Sequence, residues 1–312
     1  GEAIVATRLG GSMDFADPYA APGRWYKGNV HTHTTESDGR LSPEEVVKRY
    51  REQGYDFLVL TDHGKVTQVE GGSDGEFLLL LGTEMDGDRG EVAESVHVVG
   101  FGLSEAGEVP PRPLVPEAIE WIKEHGGEAL IAHPYWSGLI AADMLRWEGY
   151  LGVEVFNTGC HFEIAKGYST VHWDDMLGRG RRAWGFAVDD SHHRRDEGRP
   201  VDTAKAWTMV KATALTREAI LASMRDGLFY SSWGPEIQDV KVTDGVVTAR
   251  TSAVKEISFV AQRWAGESFT APAGSTLTEV AMQLSGREDY LRVECRDAEG
   301  RWAWSNPIYL RG

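Results

Sequence analysis

Residues 27–47 read KGNVHTHTTESDGRLSPEEVV, and this stretch decides the fold. A strand-like run closes at Val30-His31-Thr32-His33, and Asp38 follows in a short polar turn. Ser42-Pro43-Glu44-Glu45 then starts a helix, with a Ser cap, Pro in the first turn and acids at the positive end of the dipole. Val46, Val47 and Tyr50 recur at helical spacing, and Gly54 ends the element. The order is strand, polar turn, helix, with side chains able to bind a cation where the strand ends. In an α/β fold with parallel strands, side chains at the C-terminal strand ends converge on one mouth.

The same order recurs along the chain. Residues 58–61 lead into Asp62-His63, residues 78–81 into Glu84, residues 129–132 into His133-Pro134, and residues 183–188 into Asp190-Ser191-His192. His97 sits within a further apolar stretch, SVHVVGFG. One His-x-His is weak evidence for a metal. A full series of imidazoles and carboxylates at successive strand ends reads as a metal site. Further helices are expected from Pro116-Glu117 to Gly126-Gly127 and from Thr216 to Gly227. Strand-like and helical runs alternate from Gly28 to about Ser232, the pattern of an α/β domain with a parallel sheet.

Beyond Trp233-Gly234-Pro235 the pattern changes. Residues 237–242, 246–250, 257–262, 290–296 and 302–310 read as short strands, with hairpin signals at Asp244-Gly245 and Ala298-Glu299-Gly300. No helical period recurs, so a small C-terminal β-sandwich is expected. Three segments follow: an N-terminal extension over 1–24, a domain carrying the ligands over 25–235, and the β-domain over 236–312.

Composition excludes several classes. The chain has 312 residues with 41% hydrophobic and 26% charged side chains, the balance of a soluble globular protein. No apolar run approaches the roughly 20 residues of a membrane span. A formal charge of −16 repels a nucleic-acid backbone, so a polymer partner is not expected and a small molecule is. The two cysteines, Cys160 and Cys295, read as inert thiols with no framework for a disulfide. A soluble, cytoplasmic protein is favoured; Gly1 is not a natural start, so secretion with a removed signal stays open.

With these motifs assembled, residues 25–235 resemble the PHP (polymerase and histidinol phosphatase) superfamily, in its phosphoesterase branch. The resemblance rests on KGNVHTHTTESDGRLSPEEVV, FLVLTDHG, LLGTEMDG, SVHVVGFG, LIAHPYW and AVDDSHH, in that order. It implies a distorted barrel of seven βα units holding two or three divalent ions. It places metal ligands at His31, His33, Asp38, His63, Glu84, His97, His133, Asp190 and His192. Asp189 and His193 are substitutes in the last motif. The WYKGN-HTHT opening and FYSSWGP at 229–235 are similar to PHP-like carbamate-ester hydrolases.

Imidazole and carboxylate without thiolate suit Zn, Mn or Fe. Glu84 is the candidate for a carboxylate bridging two ions, and a water shared by them becomes a hydroxide able to attack phosphorus or carbon. Asp62, Glu84 and His192 are the candidate catalytic groups, Asp62 by orienting a ligating histidine or protonating a leaving group, or merely by capping a turn. Arg194 and Arg195 could clamp a phosphate. Tyr135, Trp136 and His161 could line a pocket, although core packing fits Trp136 equally well. A phosphoesterase acting on a small phosphomonoester or nucleotide-type substrate leads. A carbamate, ester or amide hydrolase is second, and a non-catalytic metal-binding barrel third.

Overall fold

The protein is represented by a computed structural model describing residues 13–194, 198 and 200–310. They fall into two compact units, Ala20–Trp233 and Gly234–Gly312, the second taking in the described part of Gly1–Tyr19.

The first unit opens with β1 (Arg24–Asn29), α1 (Pro43–Glu52), β2 (Phe57–Leu60), β3 (Leu78–Asp86) and β4 (His97–Leu103). Then come α2 (Val115–Glu124), β5 (Glu128–Ile131), α3 (Pro134–Ser137), α4 (Ala141–Arg146) and β6 (Gly152–Asn157). It ends with α5 (Thr158–Ile164), α6 (Thr170–Gly178), β7 (Trp184–Val188), β8 (Trp207–Ala212), α7 (Arg217–Arg225) and β9 (Phe229–Ser232). Its strands are ordered β9-β8-β1-β2-β3-β4-β5-β6-β7.

The expected uniform alternation of parallel strands and helices is corrected here. β1–β2, β2–β3, β5–β6 and β6–β7 pair parallel, but β4 runs antiparallel to both β3 and β5. No helix lies between β2 and β3 or between β3 and β4. A short antiparallel return needs no crossover, which accounts for β3–β4; the parallel β2–β3 pair does need one, and residues 61–77 supply it as a long loop without a helix. Beyond the last strand the backbone rejoins the first: Asp190 N donates to His31 O at 2.9 Å and His33 N to Ser191 O at 3.0 Å. Thr32 and Ser191 form a parallel bridge there.

Local chemistry sets the elements. Ser42 and Glu45 form a reciprocal cap at α1: Glu45 N donates to Ser42 Oγ at 3.3 Å, and Ser42 N to Glu45 Oε2 at 2.9 Å. Thr216 caps α7 one way only, its side chain accepting from Ala219 N at 3.3 Å. β2 is buried on both faces, and its residues alternate between two cores. Phe57 and Val59 join Tyr26, Val30, Leu80 and Phe101, while Leu58 and Leu60 pack with Val46, Val47 and Tyr50 of α1. Each such side chain contributes roughly 1.5–3 kcal/mol. Gly28 lets β1 lie close to β2: a Cβ there would stand 2.0 Å from the Phe57 ring.

The second unit contains β10 (Ile237–Thr243), β11 (Val246–Val254), β12 (Glu256–Ala261), β13 (Gly266–Thr270), β14 (Leu277–Gln283), β15 (Tyr290–Arg296), β16 (Trp302–Ser305) and β17 (Ile308–Tyr309). β10-β11-β14 form one antiparallel sheet, and β12 pairs antiparallel with β13 and β15. β13 and β14 escape the sequence reading. Most of their side chains are exposed, so no apolar alternation marks them. Among the described residues no helix is long and apolar enough to cross a membrane. Cys160 and Cys295 are buried free thiols in different units.

Candidate metal centre

At one rim of the first unit the chain brings together all nine side chains proposed as ligands. His31 and His33 follow β1, His63 follows β2, His133 follows β5, and Asp190 and His192 follow β7. Glu84 lies inside β3, and His97 opens β4 rather than closing it. The reversal of β4 explains this, because the start of an antiparallel strand lies at the same rim as the ends of its parallel neighbours.

The innermost group is His31, His33, Glu84 and Asp190, all buried. His31 Nε2 lies 3.2 Å from His33 Nε2, 3.2 Å from Glu84 Oε2 and 3.3 Å from Asp190 Oδ1. His33 Nε2 lies 3.1 Å from each of those two oxygens. Five of the six donor–donor edges are nearly equal at 3.1–3.3 Å, the spacing of donors that each sit about 2.0 Å from one tetrahedral ion, the length of a Zn–N or Zn–O bond. Asp190 Oδ1 is buried without a hydrogen bond, which leaves it able to serve a cation. The donor set fits a divalent cation.

Glu84 divides its oxygens. Oε2 faces His31 and His33, whereas Oε1 meets His97 Nδ1 at 2.8 Å and His133 Nε2 at 3.3 Å. A second group, His33, Asp38, His63 and His192, lies outward, with His192 Nε2 3.1 Å from Asp38 Oδ2. A third comprises His63, Glu84 and His97.

The electrostatics follow from this crowding. Burial lowers the His33 pKa, yet hydrogen bonds and charge from Asp190 and Glu84 outweigh it and hold the ring at about 10. Burial would raise the Glu84 carboxyl, but the charges of His31 and His97 and hydrogen bonds from His133 and His31 hold it well below its usual range. Without a cation, protons must balance the carboxylates; a cation displaces them.

A ring of buried polar groups fixes the proposed ligands. Glu154 Oε1 lies 2.5 Å from His31 Nδ1, and Oε2 accepts from His133 N at 2.8 Å and Asn157 Nδ2 at 2.9 Å. A carboxylate behind a histidine sets its tautomer and orientation. The sequence reading missed Glu154, although an acid in the apolar run 152–156 was the signal. Asn157 Nδ2 also donates to Asp190 Oδ2 at 3.1 Å. Of the two neighbouring acids, Asp189 points away from the cluster and accepts from Tyr50 OH and Ala206 N, each at 2.7 Å. Burial lifts its pKa to about 6. His193 likewise lies behind the site, with Nδ1 2.6 Å from Thr203 Oγ1 and Nε2 3.1 Å from His33 O. Burial drops its pKa to about 4, leaving it a neutral prop for the His33 backbone. His133 and Asp190 adopt positive φ, 27° and 49°, the kind of backbone strain that gathers at functional sites.

Three expected roles are corrected. Asp62 takes no proton from a histidine: it accepts from Thr34 N and Oγ1 at 2.8 Å each, from Ser37 Oγ at 2.7 Å and from Thr67 Oγ1 at 2.5 Å. It knots the loops after β1 and β2, a turn-capping acid. Tyr135 is 43% exposed and absent from the cavity wall, which Trp136 supplies instead. In a helix begun at Pro134, neighbouring residues face different sides. His161 packs among Phe156, Tyr168 and Trp233, not against the cavity. Arg195 lies outside the described residues.

The cavity above the cluster has a volume of about 360 Å³. Its wall includes Asp86, Trp136, Cys160, Phe162, Glu163, Arg194 and Asp202. Arg194 stands 3.9 Å from Asp38 and 3.8 Å from Glu163, and Trp136 Nε1 donates to Glu163 Oε2 at 3.3 Å.

No family model matches the chain. An uncharacterised protein of Methanocaldococcus jannaschii is 29% identical over 151 residues, 42% of this chain and 81% of that protein. The DNA polymerase/3′-5′ exonuclease PolX of Bacillus subtilis is 35% identical over 60 residues, 19% of this chain and only 10% of that protein. A two-domain protein from Bacteroides vulgatus, described as containing a predicted PHP-like metal-dependent phosphoesterase, aligns over 93% of this chain and 88% of its own. That alignment has 16% identity and a TM-score of 0.47.

Proposed function

We infer that this chain is a metal-dependent hydrolase of the PHP superfamily, most specifically a phosphoesterase acting on a small phosphomonoester or nucleotide-type phosphate. One observation carries the reading: four buried donors, His31, His33, Glu84 and Asp190, stand 3.1–3.3 Å apart along five of their six edges, the spacing expected for donors about 2.0 Å from a shared tetrahedral ion. Two or three ions of Zn, Mn or Fe would be held by His31, His33, Asp38, His63, Glu84, His97, His133, Asp190 and His192. Bound there, they supply Lewis acidity and a water activated near neutral pH.

The chain's own residues supply the remainder. Glu84 serves two groups at once through its separate oxygens. Glu154 keeps His31 and the His133 backbone in place, and Asp62 ties down the loops that carry His33 and His63. Arg194 binds the substrate's anionic oxygens, and Trp136 and Phe162 cover its organic part and shed water. The reaction belongs to residues 25–235, arranged as a distorted barrel, and the β-sandwich over 236–312 has a structural role.

A second reading has its own support. Among the described residues that line the cavity, Arg194 is the only lysine or arginine, against Asp86, Glu163 and Asp202 outside the nine ligands. A wall that acidic suits a neutral carbamate, ester or amide. Initial rates on an aryl phosphate and a matched aryl carbamate, with protein stripped and reloaded with Zn or Mn, test the two. Faster phosphate turnover supports the phosphoesterase; carbamate turnover alone moves the function to carbon.

A further inference from the structure

Asp86, the last residue of β3, stands beside the cluster but outside the set of nine ligands. We propose that Asp86 is a tenth ligand, completing His63, Glu84 and His97 as a four-donor cation site. The proposal rests on the reading of the cluster as a metal centre and adds to it a site closed by protein alone.

Two strand registers place the four groups. Glu84 and Asp86 are two apart on β3 and so share a face. On one side His63 bridges Glu84 in parallel, and Gly64 N donates to Glu84 O at 2.8 Å. On the other, antiparallel pairing sets Asp86 directly opposite His97. Side chains of such a pair start about 4.5–5.5 Å apart at Cβ and can meet on one ion.

The distances separate a ligand from a hydrogen-bond partner. Asp86 Oδ1 lies 3.5 Å from His63 Nδ1 and 3.3 Å from His97 Nε2. N–H···O bonds cluster at about 2.9–3.0 Å. Two donors of one tetrahedral ion stand about 3.4 Å apart when each bond is about 2.1 Å. The observed values match the second. Asp86 Oδ1 and His63 Nδ1 are both buried atoms without a hydrogen-bond partner. The donors of His63, Glu84 and His97 already lie within 4.8 Å of one another. Three protein donors leave a coordination position open; Asp86 fills it. Asp86 also lines the cavity, so an ion can reach the position from solvent.

The test compares metal content and Zn affinity of wild type, Asp86→Asn and Asp86→His by elemental analysis and chelator competition, with X-ray absorption to count nitrogen ligands. The expected result is that Asp86→Asn holds one equivalent at least tenfold more weakly and keeps the others. Asp86→His should regain that equivalent with one additional nitrogen ligand per chain. Unchanged stoichiometry and affinity in Asp86→Asn would overturn the assignment. So would failure of histidine to restore the ion, since that marks a carboxylate that merely orients His97. Wild type holding no ion at all would instead end the reading of the cluster as a metal centre.

Discussion

Two pairs of buried acids, one pair in each unit, are satisfied in opposite ways. In the C-terminal unit, Asp297 accepts from Glu299 N at 3.0 Å and from Arg301 N and Nε at 2.8 Å. Glu288 accepts from Ser285 Oγ at 2.7 Å and Arg287 N at 3.1 Å. Each acid is closed by residues within four positions of itself. In the first unit, Glu84 and Asp190 meet imidazoles from β4 and from the turns after β1, β2, β5 and β7. Asp86 and Asp190 each keep a buried oxygen without a hydrogen bond. A closed polar network rigidifies a fold; an open one is a place to put a ligand. The difference teaches that burial of charge alone does not mark a site. Convergent lone pairs left unsatisfied do.

The largest expected effect tests the open side of this contrast. Glu84→Ala removes the carboxylate shared by two groups, and kcat/KM should fall by roughly 10⁴-fold with loss of bound metal. Full activity with metal retained would break the comparison. On the closed side, Phe259→Ala empties a fully buried aromatic position of β12 and should cost about 3–5 kcal/mol in urea unfolding. Metal content should not change; if it does, the two units are not separable in this sense.

Glu154→Gln sharpens the picture by loosening a support without touching a ligand. Zn affinity, measured by chelator competition, should drop about 10–100-fold. An unchanged affinity would reduce Glu154 to a packing residue. The smallest effect belongs to Arg194, whose ion pairs with Asp38 and Glu163 are long and partly exposed and so contribute little stability. Arg194→Ala should raise KM for an aryl phosphate by about tenfold more than for a neutral ester, from charge-assisted hydrogen bonds to the anion. Equal changes in both would remove it from substrate binding.

Much of the site was legible because few residue types bind hard cations, and those types recur at the ends of apolar runs. His31, His33, Glu84 and Asp190 could be proposed without coordinates for that reason. So could α1, whose Ser42 cap, Pro43 and Glu45 form a local signal that needs no tertiary partner. Glu154 was hidden because a lone acid in an apolar strand gives no clue to the histidine it will meet. Tyr135 and Trp136 were adjacent and equally plausible, and helix rotation alone sent Trp136 to the cavity.

The sequence by itself determined the chemistry of the donors, the break near Trp233 and the capped helices, all of which depend on residue type and short spacing. Only tertiary structure decided the direction of β4, which brings His97 to the rim from the opposite end of its strand. It alone turned Asp190 rather than Asp189 toward the cluster: the backbone passes through positive φ at Asp190 where it pairs with the end of β1, while Asp189 faces Tyr50 and Ala206. It alone set Asp86 opposite His97. Register and strand direction are properties of pairing between distant segments, and no local pattern in a single chain encodes them.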